Sequence, residues 1–215
     1  MKYDTILFDL DGTLLYTLED LTDSINYMLV KYGFEPHSIE DVRRFVGNGL
    51  KMLAIRALPM GEGYECFDKF LRDFIEYYNG HNLIKTKPYD GVIETTKYLF
   101  QKGFQMAIVT NKGQTASDSL LKDFFSPQIK IVVGDDGSHK RKPDPEPIDI
   151  ALDKLNVTDK RKVLYVGDSE VDAMTAEAAG IDYVLCTYGF RDMDVLSAYK
   201  PIAFIDNFSK LQALI

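Results

Sequence analysis

Short apolar runs rich in β-branched residues alternate with helical segments along most of this chain. They read MAIVT (Met106–Thr110), KIVV (Lys130–Val133), VLYVG (Val163–Gly167), YVLCT (Tyr183–Thr187) and AFI (Ala203–Ile205). Segments such as GVIETTKYLFQKG and EPIDIALDKLN lie between them with helical periodicity. Continuous apolar strands that alternate with helices bury both faces, which implies a parallel sheet covered on each side. The N-terminal run TILFDL has the same texture and supplies a first strand. The expected fold class is therefore α/β, with a doubly wound parallel sheet.

A block of different texture interrupts this pattern after the first strand. Leu18, Leu21, Ile25, Met28, Leu29 and Tyr32 share one helical face, as do Phe67, Phe70, Leu71, Phe74, Ile75 and Tyr78. Between them Ser38 and Asp41 make a capping-box-like start to SIEDVRRFV, and Gly47-Asn48-Gly49 breaks the helical pattern before LKMLAIRAL. This reading divides the chain into an α/β core of residues 1–15 and 85–215 and a smaller all-helical domain of residues 16–84. Asn79–Pro88 reads as the return linker.

Composition narrows the partners. The 215 residues carry a net charge of −8, which argues against non-specific binding to nucleic acid or anionic membranes. No apolar run is long enough for a transmembrane helix, and the N-terminus lacks the pattern of a secretory signal, so a cytoplasmic location is expected. Cys66 and Cys186 have no metal or redox spacing, and the three histidines form no zinc-binding pair. Nothing in the sequence separates a monomer from a homodimer.

The strands end in chemistry. The first ends at Asp9 and Asp11, followed by Gly12; MAIVT ends at Thr110 and Asn111; VLYVG is followed by Asp168 and Asp172. Ligands of an open parallel sheet bind beyond the carboxyl ends of its strands, so these residues converge on one crevice. The loop KRKPDPEP can bring Lys142 to the same edge. Asp9 and Asp11 lie two apart and face one side of an extended segment, and Gly12 permits a tight turn that offers backbone amides to a ligand. Carboxylates gathered in one crevice repel one another, and a divalent cation removes the conflict. Oxygen ligands suit Mg²⁺, which keeps substrate phosphate oxygens in its shell. A phosphate in turn gives Lys142 and Thr110 a purpose. Each motif alone has a plainer reading: a turn, a solvated lysine, a helix cap after a strand, a helix N-terminus that favours Asp172. Their joint order at strand ends favours the chemical one.

With these four motifs the sequence resembles the haloacid dehalogenase superfamily of phosphohydrolases. DLDGT (Asp9–Thr13), VTNK (Val109–Lys112), RKPDPEP with Lys142, and GDSEVD (Gly167–Asp172) match its four motifs in order over nearly the whole chain. VGNGL and TNK look most like phosphoglycolate-phosphatase-type members. The resemblance implies a Rossmann-like core with a helical cap and Mg²⁺-dependent hydrolysis of a small phosphorylated metabolite. It implies attack by Asp9 to give an aspartyl-phosphate, Asp11 as general acid and then base, Thr110 and Asn111 on phosphate oxygens, and Lys142 as charge partner. The metal ligands implied are the carboxylates of Asp9 and Asp168 and the main-chain carbonyl of Asp11, with Asp172 supporting them. Gly12, Gly47, Asn48 and Gly49 are candidate substrate-binding residues, the last three at a helix start that could hold an anionic tail. Tyr16 departs from the family pattern, where an Asp often stands.

A phosphosugar mutase or a pyrophosphatase on the same fold is the alternative among enzymes, and Thr13 weakly favours hydrolysis over the mutase. A dehalogenase would need neither Asp11 nor Mg²⁺. A phospho-accepting receiver module shares the sheet and the acids, but its phosphoacceptor lies on a later strand than the first acidic pair, and the inserted helices would serve it no purpose.

Overall fold

A computed structural model describes residues 2–215. Its main sheet has six parallel strands in the order β5-β4-β1-β6-β7-β8. These are β1 (Thr5–Phe8), β4 (Gln105–Gly113), β5 (Ile131–Asp135), β6 (Val163–Gly167), β7 (Asp182–Cys186) and β8 (Ala203–Ile205). The connecting helices are α5 (Val92–Gln101), α6 (Gln114–Phe124), α7 (Glu146–Leu155), α8 (Glu170–Ala179) and the short α9 (Met193–Leu196). The sheet is doubly wound, as the alternating texture predicts. Both faces are covered, and alternation along each strand separates two cores. Ile6, Phe8, Met106, Ile108, Leu164 and Val166 pack on one side, while Leu7, Ala107, Val109, Val163 and Tyr165 pack on the other.

β1 lies at the centre, between β4 and β6, and the chain leaves it first to one side and later to the other. Such a reversal of strand order opens a crevice at the carboxyl ends of the central strands. Asp9, Asp168 and the end of β4 all sit there. β4 is longer than MAIVT suggests: it runs on to Gly113 past an irregularity in its register with β5. Thr110 and Asn111 therefore lie within the strand.

The helical block consists of α1 (Leu18–Lys31), α2 (Ile39–Phe45), α3 (Gly49–Ala57) and α4 (Phe67–His81). It leaves the sheet through β2 (Leu15–Tyr16) and returns through β3 (Lys87–Pro88), which pair antiparallel. The block has its own apolar core, formed by Leu21, Ile25, Met28, Val42, Leu53, Phe70, Phe74 and Tyr78 among others. The Ser38 side chain caps α2 at the Asp41 amide, as its spacing predicts. Ile75, assigned to the buried face of α4 by periodicity, is instead 37% exposed. α4 continues to His81, so the return segment is shorter than Asn79–Pro88.

Asp20 joins the outgoing and returning chains. It is 2% exposed, and its carboxylate accepts the backbone N–H groups of Ile84, Lys85 and Thr86 at 2.9–3.1 Å. Asp20→Ala would leave buried amides without an acceptor, a loss of about 3 kcal/mol on the scale of charge-assisted hydrogen bonds. A chain of this size should then melt roughly 6–12 °C lower, read by calorimetry. An unchanged melting temperature would show that the crossing does not depend on this carboxylate.

Candidate active site

Asp9 is the first residue beyond β1. Its amide donates to Val166 O at 2.9 Å, which extends the ladder and turns the carboxylate into the crevice. The side chain is nearly buried, and Lys142 Nζ lies 2.9 Å from its Oδ1. That contact is a charge-assisted pair, and no other donor reaches Oδ1. A carboxylate oxygen with a single donor keeps a lone pair for a cation or an electrophile.

Lys142 Nζ also reaches Asp172 Oδ1 at 2.7 Å and Tyr165 Oη at 2.9 Å. Burial opposes the charge on Lys142, but Asp172 and Asp9 outweigh it and hold the ammonium protonated. Asp172 is fully buried, and its oxygens are taken up: Oδ1 by Lys142 and Tyr165, Oδ2 by the amides of Asp168 and Ser169 and the Ser169 hydroxyl. Burial pushes the Asp172 carboxyl up, but Lys142 and these donors bring it below its ordinary value. Ser169 and Asp172 form the capping box of α8. The helix-start reading of GDSEVD is met by this cap, and the same cap orients the residue that anchors Lys142.

Asp168, 2% exposed, closes the cluster. Its Oδ1 accepts from the Thr13 hydroxyl at 3.0 Å and its Oδ2 from the Phe190 amide at 2.8 Å, so each oxygen retains a lone pair. Gly12 has φ +88°, and a Cβ there would overlap the Asp168 carboxylate. The Gly12 N–H donates to Leu15 O at 2.9 Å and offers nothing to a ligand. Its contribution is the space that lets Asp168 approach β1.

Carboxylate oxygens of Asp9, Asp168 and Asp172 lie within 4.8 Å of one another. Burial, then the charge of Asp172, pushes the Asp9 carboxyl up to about 7, and the same causes in the same order push Asp168 well above the carboxylate range. The donor set is all oxygen, two of its carboxylates have free lone pairs, and its charge is undercompensated by one lysine. These properties fit a hard divalent cation held by Asp9 and Asp168. Asp172 has no oxygen to spare for it.

Asp11 faces a second buried cation. Lys112 Nζ lies 3.0 and 3.2 Å from the two Asp11 oxygens and bonds the Tyr78 hydroxyl of α4. Lys112 stays charged because Asp11 and Tyr78 outweigh its burial, while burial pushes the Tyr78 phenol up to about 12. Lys112 is visible in VTNK, but nothing local to that motif reveals its partners. Thr110 is 4% exposed; its oxygen accepts the Lys112 amide at 3.3 Å, which leaves the hydroxyl proton free to donate into the pocket. The Asn111 side chain is already engaged. Its Oδ1 accepts the Lys142 amide at 2.9 Å, and its Nδ2 donates to Lys142 O at 3.0 Å and to Gly47 O at 3.3 Å. It serves as a joint between two loops, not as a free donor.

The pocket enclosed by these groups is closed by the helical block, which contributes Leu21, Val46, Gly47, Gly49, Leu50 and Leu53. Asn48 does not line it; the Asn48 side-chain oxygen accepts from Arg56 at 2.8 Å. No side chain caps the N-terminus of α3, which leaves first-turn amides at the pocket.

Comparison with known proteins identifies the family. Residues 6–186 match the family model described as haloacid dehalogenase-like hydrolase. The chain belongs to that family. A phosphoglycolate phosphatase of Cereibacter sphaeroides is 37% identical over 198 residues, 88% of each chain. Phosphoglycolate phosphatase 1 of Pseudomonas aeruginosa is 34% identical over 212 residues, 96% of this chain and 77% of its own. A crystal structure from Lactobacillus delbrueckii subsp. bulgaricus, provisionally named a phosphoglycolate phosphatase, superposes with a TM-score of 0.92 at 30% identity, covering 100% of this chain and 99% of its own. Within the family this chain is a phosphatase, a phosphoric monoester hydrolase. Among the described residues no helix is long and apolar enough to cross a membrane.

Proposed function

We propose that the chain hydrolyses a small phosphate monoester of the phosphoglycolate type through an aspartyl-phosphate on Asp9. The observation that carries this reading is the Asp9 Oδ1 atom, buried, with Lys142 Nζ at 2.9 Å and no other donor. Asp9 attacks phosphorus, and the ester oxygen leaves with a proton from Asp11. Asp11 then takes a proton from the water that cleaves the acyl phosphate. Lys142 offsets charge on the transferring phosphoryl group, and the Thr110 hydroxyl holds one of its oxygens. Asn111 keeps the Lys142 loop in place. The Asp9 and Asp168 carboxylates, with the Asp11 carbonyl, would hold Mg²⁺. When bound, the ion neutralises the carboxylates and the phosphate so that the nucleophile is ionised.

Residues 16–84 act in this proposal as a cap. It contributes to the pocket only apolar side chains, glycines and backbone, which suits a small substrate whose tail accepts from amides. A carboxylate tail, as in phosphoglycolate, meets that condition. The cap also excludes water from the acyl phosphate. A receiver module has no use for such an enclosure.

A panel of phosphorylated metabolites, assayed with and without Mg²⁺, tests the reading. Phosphoglycolate should give the highest kcat/KM, ahead of pyrophosphate, sugar phosphates and nucleotides. Preference for pyrophosphate, or interconversion of sugar phosphates without release of phosphate, would replace it with the alternative concerned. The loop has its own test. Gly47 has φ +111° and Gly49 φ +83°, and a Cβ on Gly49 would lie 3.1 Å from Asn111 O. Gly49→Ala should lower kcat/KM for the preferred substrate about tenfold more than for p-nitrophenyl phosphate, equivalent to about 1.4 kcal/mol of lost contact with the tail. Equal losses would remove the loop from substrate choice.

A further inference from the structure

The segment between β7 and α9 belongs to the core in sequence but packs into the helical block. Phe190, 5% exposed, joins the block's apolar cluster, and its amide donates to Asp168. Arg191 follows, with its side chain 11% exposed. Its Nε donates to Glu170 at 2.8 Å, its Nη2 to Val46 O at 2.7 Å and its Nη1 to Arg43 O at 3.3 Å. The contact is returned, since Arg43 Nη1 donates to Phe190 O at 2.7 Å and Nη2 to Asp192 at 2.9 Å. The two arginines and this segment therefore clasp each other across the boundary between core and block.

What Arg191 grips is the end of α2. The last carbonyls of a helix lack intrahelical donors and carry the negative end of its dipole, so a guanidinium is the natural cap for them. Val46 O leads directly into Gly47. A Cβ on Gly47 would lie 2.8 Å from Arg191 Nη2, so the guanidinium backs the loop on one side. On the other side Asn111 Nδ2 holds Gly47 O at 3.3 Å. The loop that faces the pocket is clamped between two residues of the core. A single salt bridge to Glu170 would explain only Nε; the two carbonyl contacts explain the direction of the fork.

We propose that Arg191 is a positioning residue for substrate choice. Its fork fixes the Val46–Gly49 backbone so that the α3 amides meet the substrate tail. Phe190 ties the same segment to Asp168, so closure of the block and placement of that carboxylate occur together. This rests on the reading of the 47–49 loop as the tail-binding element.

Arg191→Met and Arg191→Lys test it in the full chain with Mg²⁺. Lysine keeps the charge but cannot serve Glu170 and two carbonyls in one plane. In both variants, KM for phosphoglycolate should rise about tenfold, and its kcat/KM relative to p-nitrophenyl phosphate should fall about tenfold, the loss expected from one or two hydrogen bonds. Amide hydrogen exchange at residues 46–50 should also quicken about tenfold, with α1 and α4 unchanged, a response that general destabilisation would not confine to the loop. Should Arg191→Met fail to fold, Arg191→Lys supplies the same readings. Unchanged exchange at 46–50 would overturn the proposal, as would faster exchange with no change in substrate ratio. If the wild-type chain does not act on phosphoglycolate, the substrate reading fails alone, and the clamp is judged by exchange and by the preferred substrate of the metabolite panel.

Discussion

Asp9→Asn should lower kcat by about four orders of magnitude or more, the scale on which loss of a covalent nucleophile is felt. The amide keeps the size of the carboxylate and its place beyond β1, but it has no charge with which to attack phosphorus. It also removes one of the two anions that Lys142 bridges, at 2.9 and 2.7 Å. Lys142 keeps Asp172 and Tyr165, so the variant should fold, and phosphate or a substrate should still bind. Single-turnover assays with an aryl phosphate would read the loss, after mass spectrometry has excluded deamidation back to Asp. Turnover within tenfold of wild type would remove Asp9 from the nucleophile's role.

Mg²⁺ should be required for activity and should stabilise the folded chain. EDTA should abolish hydrolysis, Mg²⁺ restore it, and excess Ca²⁺ inhibit, because Ca²⁺ prefers more ligands at longer distances. At a hundredfold excess over its Kd the ion should add about 2.7 kcal/mol to stability. The pH dependence has a defined sign. The Asp9 carboxyl is raised from 3.8 to about 7 by burial and by Asp172, and Asp168 is raised as well. With folded values above the unfolded ones, these acids bind protons more tightly in the folded state; the contribution of Asp9 to metal-free stability falls as pH rises from about 4 to about 7, and Asp168 acts in the same direction. Mg²⁺ competes with those protons, so its stabilising effect should grow as pH rises over the same interval. Asp168→Asn should erase that effect without lowering the metal-free melting temperature, since one of three buried anions is gone. Full activity in EDTA, or a Mg²⁺ effect that shrinks as pH rises, would reject this account.

Much of this protein is encoded in short stretches. Alternation of Ile6 and Phe8 against Leu7 separates the two faces of the sheet, and apolar runs between helical segments predict its parallel strands. Acids placed where such runs end mark the crevice, because an unpaired carboxylate is not left at the mouth of a buried strand without a partner. Asp9 and Asp168 were legible as candidates for that reason, Thr110 by its place at a strand end, and Lys142 and Asp172 by the loop and helix start that carry them, while the helical block showed in apolar faces that repeat at helical spacing.

The tertiary structure alone decided which donors and acceptors are already engaged. The Gly12 amide is taken by Leu15, Asn111 is committed to the Lys142 loop, and Asn48 turns to Arg56. Lys112 meets Asp11 across 101 residues, Thr13 meets Asp168 across 155, and Arg191 meets Val46 across 145. Period and strand-end chemistry are local properties, written within a few residues of one another. A hydrogen bond between distant segments depends on where packing brings the two backbones, and neither segment carries that information alone.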